Sequence, residues 1–383
     1  MRFALVTETY PPEINGVALT VHALETGLRR LGHEVTLIRP QQDGEANGAQ
    51  LDGVVRVSGL PVPRYPGLRF GLPAGRRLAA LWHRQRPDAV YVATEGPLGW
   101  SAVRSARRLG IPVCTGLHTR FDDYAGRYAG EFLRPAVFAW MRHFHNRAQT
   151  TLVPTQELAR FLRRNGFRQV DLLKRAVDTQ LFDPMRRDEA LRREWGLGDD
   201  QLAVIHVGRI APEKNLPLAV RTFRAIQHAQ PDARFIWVGD GPNRAALAQA
   251  NPDFLFVGIK RGEDLARHFA SADLFVFPST SETFGNVTLE AMASGLPAVA
   301  FDYGAAREHL RDGLHGAALA LDDEDGFVDR SCRIAGDPQA RRRMGEAARQ
   351  AVSELSPDSV TEHFAALLTE LAGTSSKWQG AAA

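Results

Sequence analysis

The chain of 383 residues is 44% apolar and 24% charged, with a net charge of +3, which is typical of a globular protein with two domains. No run of about eighteen consecutive apolar residues is present, which excludes a transmembrane helix, and the N-terminal sequence predicts a strand instead of a signal peptide. Only Cys114 and Cys332 occur, far apart, which excludes a disulfide framework and a cysteine-based zinc site and favours a cytoplasmic protein.

The net charge is unevenly divided between the halves of the chain. Residues 1–189 contain 27 Lys and Arg against 18 Asp and Glu, a net of +9, whereas residues 190–383 contain 20 against 26, a net of −6. The basic half favours peripheral contact with the anionic inner face of a membrane or with a phosphorylated acceptor. The alternative is that its arginines form solvated faces that keep the domain soluble.

The first half begins with a βαβ unit. Residues 3–7 read as a short apolar strand, residues 17–31 have the periodicity of a helix, and residues 34–38 resume a strand. The alternation then continues, with further strands predicted at 89–92, 113–116 and 151–153.

The second half repeats this pattern. Strands are predicted at 202–207, 234–238, 254–257, 274–277 and 298–301. Each is followed by a loop with Gly or Pro and then by a helix. Two such series predict an α/β protein in which two doubly wound, Rossmann-like domains face one another across a cleft, with ligands bound at the carboxyl ends of the strands.

The loop and helix after the fourth strand of the second half carry the clearest functional signal. Residues 287–294 read as a helix, and its start at Gly285 and Asn286 directs backbone N–H groups and the positive end of the helix dipole towards a ligand. Such a site favours a diphosphate. Because the flanking Glu282 and Glu290 would repel a bare phosphate, we expect them to accept hydrogen bonds from attached hydroxyl groups. The predicted ligand is a sugar joined through a diphosphate to a ribose.

Glu282 and Glu290, with Phe284 and Gly285 between them, resemble the signature of the retaining glycosyltransferases of the large sucrose-synthase-like and mannosyltransferase-like family, which have the GT-B architecture. The resemblance extends over nearly the whole chain. It implies that Glu282 binds hydroxyl groups of the donor sugar and that Glu290 binds the ribose of the nucleotide. The alternative for this stretch alone is an ordinary buried helix with two incidental glutamates.

A second motif follows the first strand of the second half. Gly208 allows a ligand to approach the backbone, and Arg209 and Lys214 can neutralise a departing diphosphate. The resemblance implies that all three bind the donor phosphates. Because two cations can replace a metal ion, we expect no metal and no cofactor, and the nucleotide sugar is a substrate. In isolation, the same residues are equally typical of a surface loop.

In the first half, the resemblance implies contacts near the start of the first helix and after the 113–116 strand. Gly16 would face the donor phosphates, and Asn15, which stands where the family usually has another glycine, is a candidate acceptor-side contact. His118 belongs to a His-Thr-x-Phe segment similar to that of bacterial mannosyl- and glucosyltransferases, in which the histidine touches the donor sugar. Without the resemblance, a structural role is the better interpretation of His118. We interpret Arg175 as structural.

The predicted site therefore consists of two groups of residues. The catalytic group is Arg209, Lys214, Glu282 and His118. The donor-binding group is Gly16, Gly208, Phe284, Gly285, Asn286, Val287 and Glu290.

The resemblance implies a retaining hexosyltransferase. We expect a hexose, with mannose from GDP-mannose as the first choice, to pass to a lipid-linked or glycan acceptor by front-face attack, in glycolipid or polysaccharide biosynthesis. Two alternatives remain open. One is a UDP-sugar-dependent lipid glucosyl- or sulfoquinovosyl-type transferase, and the other is a non-catalytic nucleotide-sugar-binding protein. Nucleic acid is not an expected partner, because no basic stretch is interleaved with aromatic residues.

The predicted organisation has four parts. They are an N-terminal acceptor-binding domain at 1–177, a C-terminal nucleotide-sugar-binding domain at 178–355, a helix at 356–372 that crosses back to the first domain, and a disordered tail at 373–383. Residues 41–53 read as a mobile loop. The segment 64–84 combines arginines with apolar residues that we expect to be exposed, which predicts reversible contact with anionic lipid. The alternative is an acceptor-side loop and helix packed on their own sheet.

Overall fold

A computed structural model describes residues 1–13, 15–42, 45, 53–61, 69–118, 134–198, 200–282 and 284–373. The chain folds into two compact units, one formed by residues 1–175 with the segment that begins at Pro357, and the other by residues 176–356. Several predicted features lie partly or wholly outside the described residues. They are most of the mobile loop, the residues after His118 in the His-Thr-x-Phe segment, residues 64–68 and the tail after Gly373.

The first unit is built on a parallel sheet. Its strands are β1 (Arg2–Val6), β2 (Glu34–Pro40), β3 (Val54–Val57), β6 (Ala89–Val92), β7 (Val113–Gly116), β8 (Thr150–Val153) and β9 (Val170–Leu172), in the order β3-β2-β1-β6-β7-β8-β9. A small antiparallel pair consists of β4 (Gly59–Pro61) and β5 (Arg69–Gly71). The described helices of this unit are α1 (Gly16–Arg30), α2 (Gly75–Arg84), α3 (Pro97–Arg108), α4 (Arg134–His145), α5 (Gln156–Arg164) and α14 (Pro357–Gly373).

The second unit has the same architecture. Its strands are β10 (Ala203–Val207), β11 (Arg234–Val238), β12 (Leu255–Gly258), β13 (Leu274–Phe277), β14 (Ala298–Phe301) and β15 (Gly316–Leu319), in the order β12-β11-β10-β13-β14-β15. Its described helices are α6 (Glu189–Glu194), α7 (Leu216–Ala229), α8 (Arg244–Ala250), α9 (Gly262–Ala270), α10 (Asn286–Ala293), α11 (Gly304–His309), α12 (Glu324–Gly336) and α13 (Pro338–Val352). Short 3-10 helices cover Pro184–Arg186 and Pro212–Lys214.

The central strands are buried and largely apolar because helices cover both faces of a parallel sheet. β10 and β13 are buried throughout, and their side chains point alternately into two apolar clusters. The prediction of two Rossmann-like α/β halves is confirmed. The sequence reading missed the short outer strands β3, β9 and β15, whose burial is mixed or whose residues, as in Gly-Ala-Ala-Leu, have little strand propensity.

The C-terminal helix α14 packs in the first unit, against α1 and β6. A Cβ on Gly27 of α1 would lie 2.4 Å from Thr361 Oγ1, so the two helices are in close contact. Further along α14, the buried ring of Phe364 packs edge-on against Tyr91 of β6, with ring centroids 5.0 Å apart. The last described helix thus completes the apolar core beneath the first sheet.

None of the helices in the described ranges is long and apolar enough to cross a bilayer. In α2, which belongs to the segment expected to contact lipid, Leu78 and Trp82 are buried in the core of the first unit. The expectation that these apolar residues are exposed is therefore wrong, because the helix uses them to pack on its own sheet.

The position of α10 depends on a close contact with α13. A Cβ on Gly345, in the middle of α13, would lie 2.0 Å from the carbonyl oxygen of Gly295, which follows α10. We expect Gly345→Ala to lower the free energy of unfolding by ~3 kcal/mol, since backbone must move to admit the methyl group. Gly336→Ala is the matched control, because a Cβ there would meet no atom within 4 Å. Urea unfolding of both variants measures the difference, and equal stabilities would contradict the tight contact.

Candidate functional site

The two motifs of the second half meet where the strand order reverses. β10 is followed in sequence by β11 on one side, but its other neighbour is β13, with Val204 paired to Leu274. The loops after β10 and β13 therefore emerge side by side at the carboxyl edge of the sheet, which is where doubly wound folds bind ligands. The loop after β10 carries Gly208 and Lys214, and the loop after β13 carries Glu282.

Backbone segments approach closely at this edge. A Cβ on Gly239, after β11, would lie 2.0 Å from the carbonyl oxygen of Gly208, and one on Gly241 would lie 2.4 Å from that of Ile210. Gly239 N also donates to Gly258 O at 2.8 Å, which joins the ends of β11 and β12. Glycine is required at 239 and 241 because any side chain would separate these turns.

Lys214 and Glu282 form an ion pair between the two loops. Both side chains are largely buried, with 14% and 18% of their surface exposed, and Lys214 Nζ lies 5.5 Å from the centroid of the Phe277 ring. Ser279 Oγ donates to Glu282 Oε1 at 2.7 Å and so fixes the carboxylate. Arg209, by contrast, is 56% exposed and pairs with Glu213. The structure thus brings Lys214 and Glu282 together and leaves the Arg209 side chain at the surface.

The loop that carries Glu282 leads directly into the N-terminus of α10. Gly285 has a φ of +91°, in the left-handed region that favours glycine, and among the described residues no side chain caps the helix that begins at Asn286. Phe284 is buried, and its carbonyl oxygen accepts a hydrogen bond from Ala305 N at 2.7 Å. Val287 is partly buried in the first turn. The hydrogen bond to Phe284 holds the turn in place, and the first N–H groups of α10, which have no partner within a helix, can donate to an anion.

Glu290 lies one turn into α10 and is partly buried. Its carboxylate has no hydrogen-bond or ion-pair partner in the part of the chain that the structure describes. Desolvation raises the pKa of Glu290 to about 7. A carboxylate of this kind can accept hydrogen bonds from ligand hydroxyl groups, which would favour its charged form.

In the first unit, Asn15 caps α1. Its Oδ1 accepts hydrogen bonds from Val17 N and Ala18 N at 3.1 and 2.9 Å, and its Nδ2 donates to Thr9 Oγ1 at 2.6 Å. Gly16 is exposed, and a Cβ there would meet nothing within 4 Å. The side-chain amide of Asn15, the candidate acceptor-side contact, therefore serves to cap α1. Gly16 leaves open space beside the start of this helix.

His118 is buried, and both ring nitrogens have partners. Nε2 lies 2.6 Å from Tyr91 Oη and Nδ1 lies 2.7 Å from Arg175 Nη2. Burial and then the Arg175 charge lower the pKa of His118 well below its ordinary value, so the ring is neutral. A neutral imidazole with both nitrogens engaged is poorly suited to transfer protons.

The sequence interpretation missed Ser279, Tyr91 and Gly116 as parts of the site. Ser279 lies three residues before Glu282, and this spacing within a loop was the one available signal. Tyr91 reads as a core residue of a strand, and Gly116 as an ordinary turn glycine. Among the described residues, no group of three His, Cys, Asp or Glu is placed to hold a metal ion.

Two protein-family models match most of the chain, and relatives of known name match it as well. Residues 14–181 match the domain model "Glycosyltransferase Family 4", and residues 201–337 match "Glycosyl transferases group 1". A GDP-mannose-dependent alpha-mannosyltransferase of Mycobacterium tuberculosis is 36% identical over 92% of this chain and 92% of its own length. Sulfoquinovosyl transferase SQD2 of Arabidopsis thaliana is 30% identical over 84% of this chain and 64% of its own length.

The fold also has solved counterparts. Sucrose-phosphate synthase from Thermosynechococcus elongatus is 20% identical and superposes with a TM-score of 0.76, over 97% of this chain and 98% of that one. At 20% identity, this similarity is evidence for the fold alone.

The raised pKa of Glu290 predicts a pH-dependent effect on stability. Glu290 titrates near 4.5 when unfolded and near 7 when folded, so the folded protein loses stability as the pH rises from 4.5 to 7. We expect Glu290→Gln to gain stability relative to wild type as the pH increases through this window, and the gain to level off above it. Thermal unfolding between pH 5 and 8 measures the trend, with the exposed Glu346→Gln as control. A constant difference at every pH would show that desolvation does not control this carboxylate.

Proposed function

This chain belongs to the glycosyltransferases that carry a Glycosyltransferase Family 4 domain and a Glycosyl transferases group 1 domain, and we propose that it transfers mannose from GDP-mannose with retention of anomeric configuration. That it is a hexosyltransferase follows from this membership. The choice of GDP-mannose is supported by the donor named for the M. tuberculosis relative. We propose a lipid-linked or glycan acceptor.

The single observation that carries the proposal is the meeting of Lys214, Glu282 and the start of α10 at one reversal of strand order. A cation and the N–H groups at a helix start suit a diphosphate, and a neighbouring carboxylate suits sugar hydroxyl groups. Lys214 and Glu282 neutralise each other in their ion pair. A donor would divide the pair, with phosphate taking Lys214 and a sugar hydroxyl taking Glu282.

The proposed reaction is a front-face substitution. The acceptor hydroxyl oxygen bonds to the anomeric carbon as the bond from that carbon to the diphosphate oxygen breaks, and the leaving nucleoside diphosphate keeps the electron pair. A donor phosphate oxygen takes the hydroxyl proton, so no protein nucleophile is required. Lys214, Arg209 and the N-terminus of α10 would stabilise the charge that develops on the diphosphate. We propose that this occurs without a metal ion.

A UDP-sugar-dependent, sulfoquinovosyl-type transferase is the second candidate, favoured by the 30% identity to the Arabidopsis thaliana protein. The residues named above bind phosphate, ribose and sugar hydroxyl groups, which GDP and UDP donors share. They do not distinguish the two bases.

A donor screen tests the proposal. We expect turnover with GDP-mannose that persists in EDTA, and we expect Lys214→Ala and Arg209→Ala to lower it by roughly a hundredfold because charge on the leaving group loses its stabilisation. Arg221→Ala is the matched control, since this exposed arginine of α7 pairs with Glu324 and Asp325. Turnover confined to UDP sugars would transfer the assignment to the second candidate, and binding without transfer would indicate a non-catalytic nucleotide-sugar-binding protein.

The two glutamates should have different effects on ligand binding. Glu290→Gln should weaken the free nucleoside diphosphate and the intact donor alike by about tenfold, because a charged acceptor for ribose hydroxyl groups is lost. Glu282→Gln should spare the free nucleotide, since it releases Lys214 for phosphate, but should impair transfer. Calorimetric titration with the nucleotide and a non-hydrolysable donor measures both. Equal weakening of the free nucleotide by the two variants would show that the proposed orientation of the donor is wrong.

A further inference from the structure

A chain of hydrogen bonds runs through the first unit beside the carboxyl ends of β6 and β7. Tyr91 Oη lies 2.6 Å from His118 Nε2, and Arg175 Nη2 lies 2.7 Å from His118 Nδ1. The other terminal nitrogen of Arg175 donates to Thr20 Oγ1 at 2.6 Å, and Thr20 donates to the carbonyl oxygen of Gly16 at 2.7 Å. His118 and Gly16, the two residues of this unit for which the family resemblance implies contact with the donor, are thus connected through one arginine.

Arg175 is buried, with 7% of its surface exposed, and no carboxylate among the described residues pairs with it. An ion pair therefore does not explain its position. A guanidinium has only N–H donors, so His118 Nδ1 must act as an acceptor. Because a neutral imidazole carries one proton, that proton is on Nε2, where it can be donated to Tyr91 Oη.

Gly116, the last residue of β7, is independent evidence that the end of this strand leaves space for the hydrogen bond between Tyr91 and His118. A Cβ at Gly116 would lie 2.2 Å from Tyr91 Oη and 2.6 Å from His118 Nε2. The backbone at this position does not have a positive φ, so its conformation does not require glycine. The absence of a side chain is what leaves space for the hydrogen bond between Tyr91 and His118.

We propose that Arg175 is a positioning residue, which holds His118 in the neutral Nε2–H form and fixes its ring relative to the first turn of α1. This role rests on the proposed function and on the contact with the donor that the resemblance implies for His118 and Gly16. His118 would then present a fixed polar surface to the sugar instead of acting as an acid or base. Protonation at Nδ1 would direct an N–H group at the guanidinium, which Arg175 opposes by charge and by geometry.

The tautomer of His118 can be measured without any substrate. In protein labelled with ¹⁵N-histidine, we expect His118 to show an unprotonated Nδ1 and a protonated Nε2. Arg175→Met should shift both resonances towards a mixture of tautomers, and Arg175→Gln, whose amide both donates and accepts, should do so with less change in packing. His145 is the internal control, because its partners Thr115 and Glu95 remain. Unchanged His118 resonances in either folded variant would overturn the proposal.

Kinetics separate positioning from a general effect on the fold. Arg175→Met should lower kcat by about tenfold and leave the affinity for the free nucleoside diphosphate unchanged, and Arg175→Lys should restore part of the loss. In a His118→Ala background, Arg175→Met should cause no further loss, because its effect passes through the histidine. Independent, additive losses would contradict the role. If wild-type protein transferred no sugar, the proposed function would fail, while the ¹⁵N measurement would still decide the part played by Arg175.

Discussion

The reversal of strand order between β10 and β13 is the constraint on which the candidate site depends. Parallel strands that are neighbours in the sheet end at the same edge, so loops separated by about seventy residues in sequence emerge together. Lys214 and Glu282 can form an ion pair only because of this arrangement. Phe277 and Ser279, at the end of β13, then limit where the two charged groups can lie.

Burial has opposite consequences for Glu290 and His118, two titratable residues of the predicted site. Glu290 is desolvated and lacks a partner within the described chain, so its pKa rises to about 7 and a hydroxyl-bearing ligand could stabilise the carboxylate. His118 is desolvated but has partners on both nitrogens, so it stays neutral and its orientation is fixed. A group such as Glu290 suits ligand binding that responds to pH. A group such as His118 suits a rigid, uncharged lining of a binding site.

Close approach at particular glycines determines the local packing in both units. Gly239 allows the turns after β10 and β11 to meet, Gly345 allows α13 to lie against the end of α10, and Gly116 leaves space for the Tyr91–His118 hydrogen bond. Each of these contacts would be lost with a single added methyl group, because the atom it would meet is backbone or a hydrogen-bonded polar atom.

The sequence by itself determined the α/β class, ten strands of the two parallel sheets and the helix that begins beside Gly285, because apolar periodicity and glycine punctuation are local signals. It also determined the residue types suited to a diphosphate and a sugar, in Lys214, Glu282 and Glu290. The short strands β3, β9 and β15 escaped it, since their burial is mixed or their residues have little strand propensity. Only the tertiary structure decided that Lys214 and Glu282 pair, that Trp82 is buried, and that Arg175 bonds His118. These are contacts between distant parts of the chain, and their geometry depends on strand order and helix packing, which local periodicity does not encode.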